Sequence, residues 1–379
     1  MPQDIYQKLA KHLDDLPGGF PPTEDGVELR ILKRLFTPEE AALALCLTLI
    51  PENAAVVAKR AKIPVQEARE SLGELARKGL AFSMEPKGAE PLYMAAQFVI
   101  GIWEYHVKDL DPELARDMQK YIPTLFNMKT WSKAPQLRTI PIGRSLEAEQ
   151  KIMPYEEARK LIEKQKKILV APCICRRENN ITGGNCDKPE EVCLVFGWGA
   201  DYYHRNGLGR LISREEAFDI LQLADKHALV LQPSNAKKIV NICCCCGCCC
   251  QILKNLKRHP KPAELVASAF IAELDREKCL SCGLCVDRCQ MDALAMDDED
   301  LAVLNQERCI GCGLCVTTCP GEALSLKRKP DELVKDVPAN MITSTLALGK
   351  ARGKLGPAKL VGMQLKSKMD RLLASKKEV

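Results

Sequence analysis

No apolar run in this 379-residue sequence is long enough to cross a bilayer. The longest, AALALCLTLI from Ala41 to Ile50, is about half of the ~20 residues a membrane helix needs. No transmembrane segment is therefore expected. The opening, MPQDIYQKLAKHLDD, lacks the apolar h-region of a signal peptide, which argues against export. The glycine-rich stretch GWGADYYHRNGLG lacks G-x-G-x-x-G, and no acid–base pair, nucleotide loop or flavin motif marks a familiar enzyme class. A strong charge of one sign is also missing. The net charge is +5, so nothing global calls for nucleic acid or membrane. The basic excess is concentrated in the tail from Lys327 onward. Together these absences point to a reducing cytoplasm.

Cysteine is what the sequence has in excess. There are 20, and 19 of them lie between Cys173 and Cys319. A disulfide framework suits a short secreted chain. In a long chain of the reducing cytosol, dense cysteines bind metal. The apolar share of 46% is that of a globular protein with a sizeable core.

Four regions can be separated. Residues 1–122 read as mostly helical. Thr37-Pro38-Glu39-Glu40 is a capping box with proline at the first helical position, and it predicts a helix through Ile50. A short segment, Ala54 to Lys62, follows. Val65, Ala68, Leu72, Leu75 and Ala76 recur at helical spacing, with Gly79 past the end. Two short strands then flank a turn containing Pro86-Lys87-Gly88. Three helices followed by a hairpin is the order of a winged helix. Asp111-Pro112 starts another helix. Residues 123–270 read as a proline-rich linker and then a small α/β layer. In it KILVAPCIC and KKIVNI are strands running into cysteines, and Ser213-Arg214-Glu215-Glu216 caps a helix. Residues 271–328 are an internal repeat with a period of 30 residues. Residues 329–379 are a basic tail in which Met341 to Leu372 has helical character broken by glycines.

The repeat supplies Cys279, Cys282, Cys285 and Cys289, then Cys309, Cys312, Cys315 and Cys319. Both runs read C-x2-C-x2-C-x3-C. Three cysteines two residues apart can wrap one cubane from a tight loop. Glycines such as Gly283 and Gly313 let the backbone approach the sulfides. The fourth cysteine of each run sits too far round and ligates the other cluster. One [4Fe–4S] cluster is thus expected on Cys279, Cys282, Cys285 and Cys319, and a second on Cys309, Cys312, Cys315 and Cys289. Two four-cysteine zinc sites are the alternative, and the doubled motif argues against them. Over about 50 residues the sequence resembles the bacterial two-cluster ferredoxins. That family has proline after the fourth cysteine. Pro320 fits and Gln290 departs, with the side-chain N–H of Gln290 available to a nearby sulfur.

Two further groups of cysteines lie upstream. Cys173, Cys175, Cys186 and Cys193 form one constellation, with Gly183 and Gly184 in a loop between them. The run CCCCGCCC from Cys243 to Cys250 is the other. In an extended chain alternate residues face one way, so Cys243 and Cys245 share a side, opposite Cys244 and Cys246. Seven cysteines exceed what one cubane can use. Cys243, Cys245, Cys246 and Cys249 are taken as metal ligands beside the Cys173 set, holding a third iron–sulfur cluster or zinc. Thiol–disulfide redox chemistry is the alternative. APCICR and VNICCCCGCCC resemble segments of uncharacterised multi-cluster ferredoxin-like proteins, a likeness that implies no substrate.

The expected fold class is α+β and multidomain: a helical winged-helix-like N-terminal domain, a small α/β cysteine-rich domain and a two-cluster ferredoxin domain. The expected function is relay of low-potential electrons to or from a partner oxidoreductase. The alternatives are a redox-sensing winged-helix transcription regulator, and an oxidoreductase subunit with its catalytic centre at the central cysteines. Glu67, Glu70 and Glu74 on the would-be recognition helix argue against DNA. Protein docking or homodimer formation through the N-terminal domain is expected instead. His204, Arg176 and Arg177 stand near the central set, and Cys46 is expected in the core.

Overall fold

The computed structural model describes residues 4–146 and 152–374. The first three residues of the N-terminal region and the last five of the basic tail lie outside the described residues. The chain forms two compact units. One gathers the N-terminal segment through Leu125, residues Asp201–Leu208 and the tail from Thr345. The other comprises Phe126–Ala200 and Gly209–Ser344.

The first unit begins with helices α1 (Ile5–Asp14), α2 (Val27–Leu35), α3 (Pro38–Ala44), α4 (Ala54–Ala61) and α5 (Val65–Arg77). A hairpin follows, strands β1 (Ala81–Met84) and β2 (Leu92–Ala95), paired from Ala81↔Ala95 to Met84↔Leu92. The apolar spacing of α5 buries Ala68, Leu72, Leu75 and Ala76. Thr37 caps α3 as its sequence requires: Glu40 N–H donates to Thr37 Oγ1 at 3.2 Å, and Thr37 N–H donates to Glu40 Oε2 at 2.9 Å. The helix nevertheless stops at Ala44, not Ile50. The chain beyond it is claimed by the hairpin, because Ala95 N–H donates to Thr48 O at 2.8 Å and Glu52 and Tyr93 exchange backbone hydrogen bonds. Cys46, expected in the core, is only half-buried. The tail helix Pro357–Ala374 is docked on α4. Arg60 Nε donates to Asp370 Oδ2 at 2.7 Å, and Ser367 Oγ donates to buried Glu52 at 2.5 Å. Among the described residues, no helix is long and apolar enough to cross a membrane.

Loss of the α3 cap has a defined cost. Thr37→Ala leaves the Glu40 N–H without its acceptor and is expected to destabilise the helix end by about 1 kcal/mol. Hydrogen exchange in peptides from α3 should rise in that variant, with peptides of the second unit unchanged.

The second unit is built on a five-stranded sheet. Its strands are β3 (Ile168–Pro172), β4 (Glu191–Phe196), β5 (Arg210–Ile212), β6 (Val230–Pro233) and β7 (Asn241–Cys245), in the order β5-β3-β4-β7-β6. Every pairing is antiparallel. The layer expected to be α/β is therefore an antiparallel sheet in which only β3–β4 and β6–β7 are sequential neighbours. The physical reason lies between β3 and β4. The helix Ile174–Ile181 spans only eight residues, and the loop after it returns the chain to the end of the sheet that β3 has just left. Helices Ala158–Glu163 and Arg214–Lys226 cover one face, packing Leu161, Ile162, Ile220 and Ala224 on Val170, Leu194, Phe196 and Ile242. The predicted strand LRTIPI makes only isolated bridges, Leu137↔Ser234 and Ile140↔Leu231.

The repeat region packs in the same unit. Strands β8 (Phe270–Leu274) and β11 (Leu324–Arg328) pair antiparallel, as do β9 (Leu294–Met296) and β10 (Ala302–Leu304). Asp225, at the end of the central helix Arg214–Lys226, ties the two parts together. Its Oδ1 accepts from Arg288 at 2.7 Å and from Thr317 Oγ1 at 2.9 Å, and its Oδ2 accepts from Arg144 at 2.8 Å.

Candidate iron–sulfur and metal centres

No disulfide joins any of the 20 cysteines. In the repeat, the sulfurs sort into two groups. Cys285 faces the charges of Cys319, Cys282 and Cys279, and burial pushes its thiol up. Cys312 has Cys289 and Cys309 as charged neighbours, and burial pushes it up to about 12. Each fourth cysteine thus sits with the other run's loop. Separate cavities follow the same partition. One is lined by Cys279, Cys282, Cys285 and Cys319, the other by Cys289, Cys309, Cys312 and Cys315.

The backbone around these sulfurs is arranged to receive negative charge. N–H groups of Ala302, Ala323, Ala293 and Ala272 point at Cys279, Cys319, Cys289 and Cys309, at 3.5, 3.3, 3.2 and 3.4 Å. Such N–H···S contacts favour the thiolate and tune a bound cluster. Gly311 has φ +70°, and a Cβ there would stand 2.1 Å from Phe270 O, so only glycine fits that loop. The donor set, the cavities and the loops all fit a pair of cubanes. The two sets differ in exposure. Cys282 is exposed beside Leu280, while Cys309 and Cys315 are buried.

The central cysteines also form two groups, and these differ from the sequence grouping. Cys193 stands on β4 and Cys243 and Cys245 on β7. Leu194↔Ile242 pairing puts Cys193 level with Cys243. Cys173 ends the turn after β3, and Cys175 lies one residue into the helix that follows. The side chains of Cys193, Cys243, Cys245, Cys250, Cys175 and Cys173 are successive neighbours, Cys245 and Cys250 buried and the other four half-buried. The neighbouring thiols of Cys193 and Cys245 hold Cys243 well below the usual thiol range, and those of Cys175 and Cys245 do the same to Cys250. Asn241 Nδ2 adds a further bond to Cys243 Sγ at 3.3 Å. Six sulfurs therefore gather in one pocket at the end of the sheet, two of them buried and four half-buried.

Cys186 stands apart from Cys173, Cys175 and Cys193. Its Sγ gathers instead with those of Cys246, Cys248 and Cys249, all four within 4.8 Å of one another. Cys186 and Cys248 are 3.8 Å apart, and Cys248 and Cys249 3.7 Å. Sequence reasoning chose Cys246 and Cys249 but passed over Cys248 and Cys250. The signal available was Gly247: a bend there ends the strand alternation and turns the last three cysteines back on the first four. Cys244 points away from the six-sulfur pocket into the helix-covered core, where burial pushes its thiol up to about 12.

Arg176 lies between the two groups and has no accessible surface. It donates to Pro189 O at 2.8 Å and to Cys244 O at 2.7 Å. Burial works against its charge, but the thiolates of Cys173, Cys246 and Cys245 outweigh that and hold it firmly protonated. Its Nε is buried without a hydrogen-bond partner. Arg177 makes an ordinary ion pair with Glu190 at 3.2 Å. His204 is exposed at the end of a helix in the first unit.

Gln290, the departure from the family pattern, does not turn its N–H to a sulfur among the contacts seen. Its Oε1 accepts from Gly247 N–H at 2.7 Å, and its Nε2 donates to Arg288 O at 3.3 Å. Proline cannot accept that bond. Gln290 thus links the loop of Cys289 to the bend in the central cysteine run.

Residues 272–326 match the family described as 4Fe-4S dicluster domains, which makes this a ferredoxin-like iron–sulfur region. No curated protein and no solved structure matches the chain.

Proposed function

We infer that this chain is an iron–sulfur electron carrier that passes low-potential electrons between a partner oxidoreductase and a redox centre in its own central sheet. Cys279, Cys282, Cys285 and Cys319 would hold one [4Fe–4S] cluster, and Cys309, Cys312, Cys315 and Cys289 the second. The six-sulfur pocket of Cys173, Cys175, Cys193, Cys243, Cys245 and Cys250 would hold a third iron–sulfur centre. Bound clusters supply the one-electron carriers, and the protein holds, insulates and orders them.

The packing between the second ferredoxin set and the central pocket supports this reading most directly. Cys245 and Cys250 share one apolar cluster with Met291, Ile310 and Leu314, and Cys243, Cys289 and Cys312 pack against it. Two sulfur sites separated by one layer of apolar side chains suit electron transfer between them. The exposed edge at Cys282, Leu280 and Leu284 is where a partner oxidoreductase would dock. The N-terminal unit, with its helix–helix–helix–hairpin order, is proposed as a winged-helix-like docking or dimerising module. DNA is disfavoured, because Arg69 and Arg77 on α5 already pair with Glu90 and Glu74.

Anaerobic purification with iron and sulfide counts tests the proposal. About eight irons, at four per cubane, are expected from the ferredoxin set, and more once the central pocket is filled. Reduction should give the signals of interacting S = 1/2 clusters by electron paramagnetic resonance. Cys319→Ala should perturb the cluster of the first cysteine run, not that of the run in which Cys319 stands. A Cys319→Ala, Cys285→Ala double variant should then lose no more iron than one cluster. Colourless, iron-free protein from anoxic cells would sink the reading. Loss of both clusters from the double variant would sink the ligand exchange.

A further inference from the structure

We propose that Cys186, Cys246, Cys248 and Cys249 bind a single tetrahedral metal ion, zinc or ferrous iron, separate from every iron–sulfur cluster in the chain. The argument is geometric. Four thiolates around one ion at about 2.3 Å stand roughly 3.8 Å from one another. The Cys186–Cys248 and Cys248–Cys249 separations are 3.8 and 3.7 Å, and all four sulfurs lie within 4.8 Å of one another. A cubane places its terminal thiolates further apart, at about 6 Å, because an iron–iron edge separates each pair of Fe–S bonds. Among the described residues, this is the only set of three or more Cys, His, Asp or Glu ligand atoms drawn so close together. The ferredoxin cysteines are not.

The local chain explains how four sulfurs meet. Cys246, Cys248 and Cys249 come from the bend at Gly247 that ends β7. Cys186 arrives on the loop after the helix Ile174–Ile181, held by its own N–H donating to Asn180 Oδ1 at 3.2 Å. Gly184 is tucked against Asn179 so closely that a Cβ would meet the amide at 2.1 Å. Cys246 and Cys249 are buried and Cys248 is exposed, so the site is closed by four protein ligands yet open to ion entry from one side. A second observation is independent of the sulfur–sulfur distances. Arg176 is fully buried with an unpartnered Nε, and it donates to the backbone carbonyl of Cys244 at 2.7 Å, two residues before Cys246. An ion with four thiolates carries a net charge of about −2, which a buried guanidinium offsets. The ion would pin the loop around Cys186 onto the end of β7 and so close one side of the six-sulfur pocket.

This inference does not depend on the electron-transfer reading, and its test separates the two. Full-length protein purified without chelator is expected to contain one zinc, or one iron in excess of its acid-labile sulfide, per chain. Cys248→Ser should lose that one ion and no sulfide, and should keep the cluster signals of the reduced protein. Zinc-edge absorption on the unsubstituted protein, or iron-edge absorption where zinc is absent, distinguishes the two ions. The zinc spectrum should show four sulfurs at about 2.3 Å. Cells supplied with cobalt should yield protein with the visible bands of tetrahedral cobalt thiolate, bands that Cys186→Ser abolishes. Loss of about four irons with four sulfides from Cys248→Ser would mean a cubane and overturn the proposal. So would metal-free protein in which mass spectrometry finds Cys186 bonded to Cys248. Cluster loss with the mononuclear ion retained would instead count against the relay alone.

Discussion

Replacing Arg176 with methionine is expected to strip the central sulfur pocket of iron while the ferredoxin irons stay in place. Methionine roughly matches the volume of the side chain and removes its charge and donors. Arg176 has no accessible surface, and no carboxylate is among the partners its charge answers to. Its counter-charges are the thiolates of Cys173, Cys246 and Cys245. A buried guanidinium is tolerable only where negative charge faces it, and the reverse holds for buried thiolates. Breaking such an arrangement by removing one partner costs about 3–5 kcal/mol. In the variant, the sulfurs have a way out that a cluster does not: they can take up protons. Metal affinity should therefore fall, and iron per chain should drop by about four. Signals of the ferredoxin pair should persist, because none of its ligands or N–H···S contacts involves Arg176. Arg176→Lys keeps the charge but cannot reach both Pro189 O and Cys244 O, so it should fall between the two. Iron content above about eight per chain and unchanged in Arg176→Met would show that the pocket's sulfurs need no counter-charge, and would overturn this role for Arg176.

The parts of this molecule that could be read from the sequence are those whose geometry is local. The cysteines of the ferredoxin-like repeat sit in two runs of eleven residues, and their spacing alone groups them. The Thr37 cap lies within four residues of Glu40 and forms as written. Ser213 likewise accepts from Glu216 N–H at 3.0 Å, yet Glu216 turns its carboxylate to Arg210 at 2.5 Å and leaves the reciprocal bond unmade. The end of α3 was not legible, because the hairpin that captures Thr48 and Glu52 lies some 40 residues on. The grouping of the central cysteines was not legible for the same reason on a larger scale. Which sulfurs share a site depends on the register of β4 against β7 and on the side of the bend at Gly247 where each cysteine falls. Cys186 and Cys248 are 62 residues apart and meet only once the whole sheet has formed. Alternation along β7 was legible. Cys243 and Cys245 share the ferredoxin side of the sheet, and Cys244 and Cys246 share the helix side. What alternation could not supply was the partner on each side.

Gly247→Ala is expected to disturb both halves of the second unit together. A Cβ at this position would stand 2.4 Å from Gln290 O and 3.3 Å from its carbonyl carbon. Those are backbone atoms next to Cys289, so no side chain can rotate out of the way. Overpacking of this kind costs about 1–3 kcal/mol, and an immovable neighbour puts it at the upper end. The same displacement would stretch the 2.7 Å bond from Gly247 N–H to Gln290 Oε1. Losing that bond alone, as in Gln290→Leu, leaves a buried N–H unsatisfied at a cost of about 1–3 kcal/mol. Gln290→Pro, which restores the family pattern, should cost as much, since proline brings no acceptor. The two substitutions act on one contact, so the double variant Gly247→Ala, Gln290→Leu should be less destabilised than the sum of the singles. Anaerobic denaturation measures the energies, and hydrogen exchange at peptides on either side of Cys246 and Cys289 locates them. Spin–spin interaction between the second ferredoxin cluster and the central centre should weaken in Gly247→Ala as the loops part. Strict additivity of the two substitutions, with that interaction unchanged, would show that the loops of Cys289 and Gly247 are not held together by this contact, and the path proposed between them would lose its closest point.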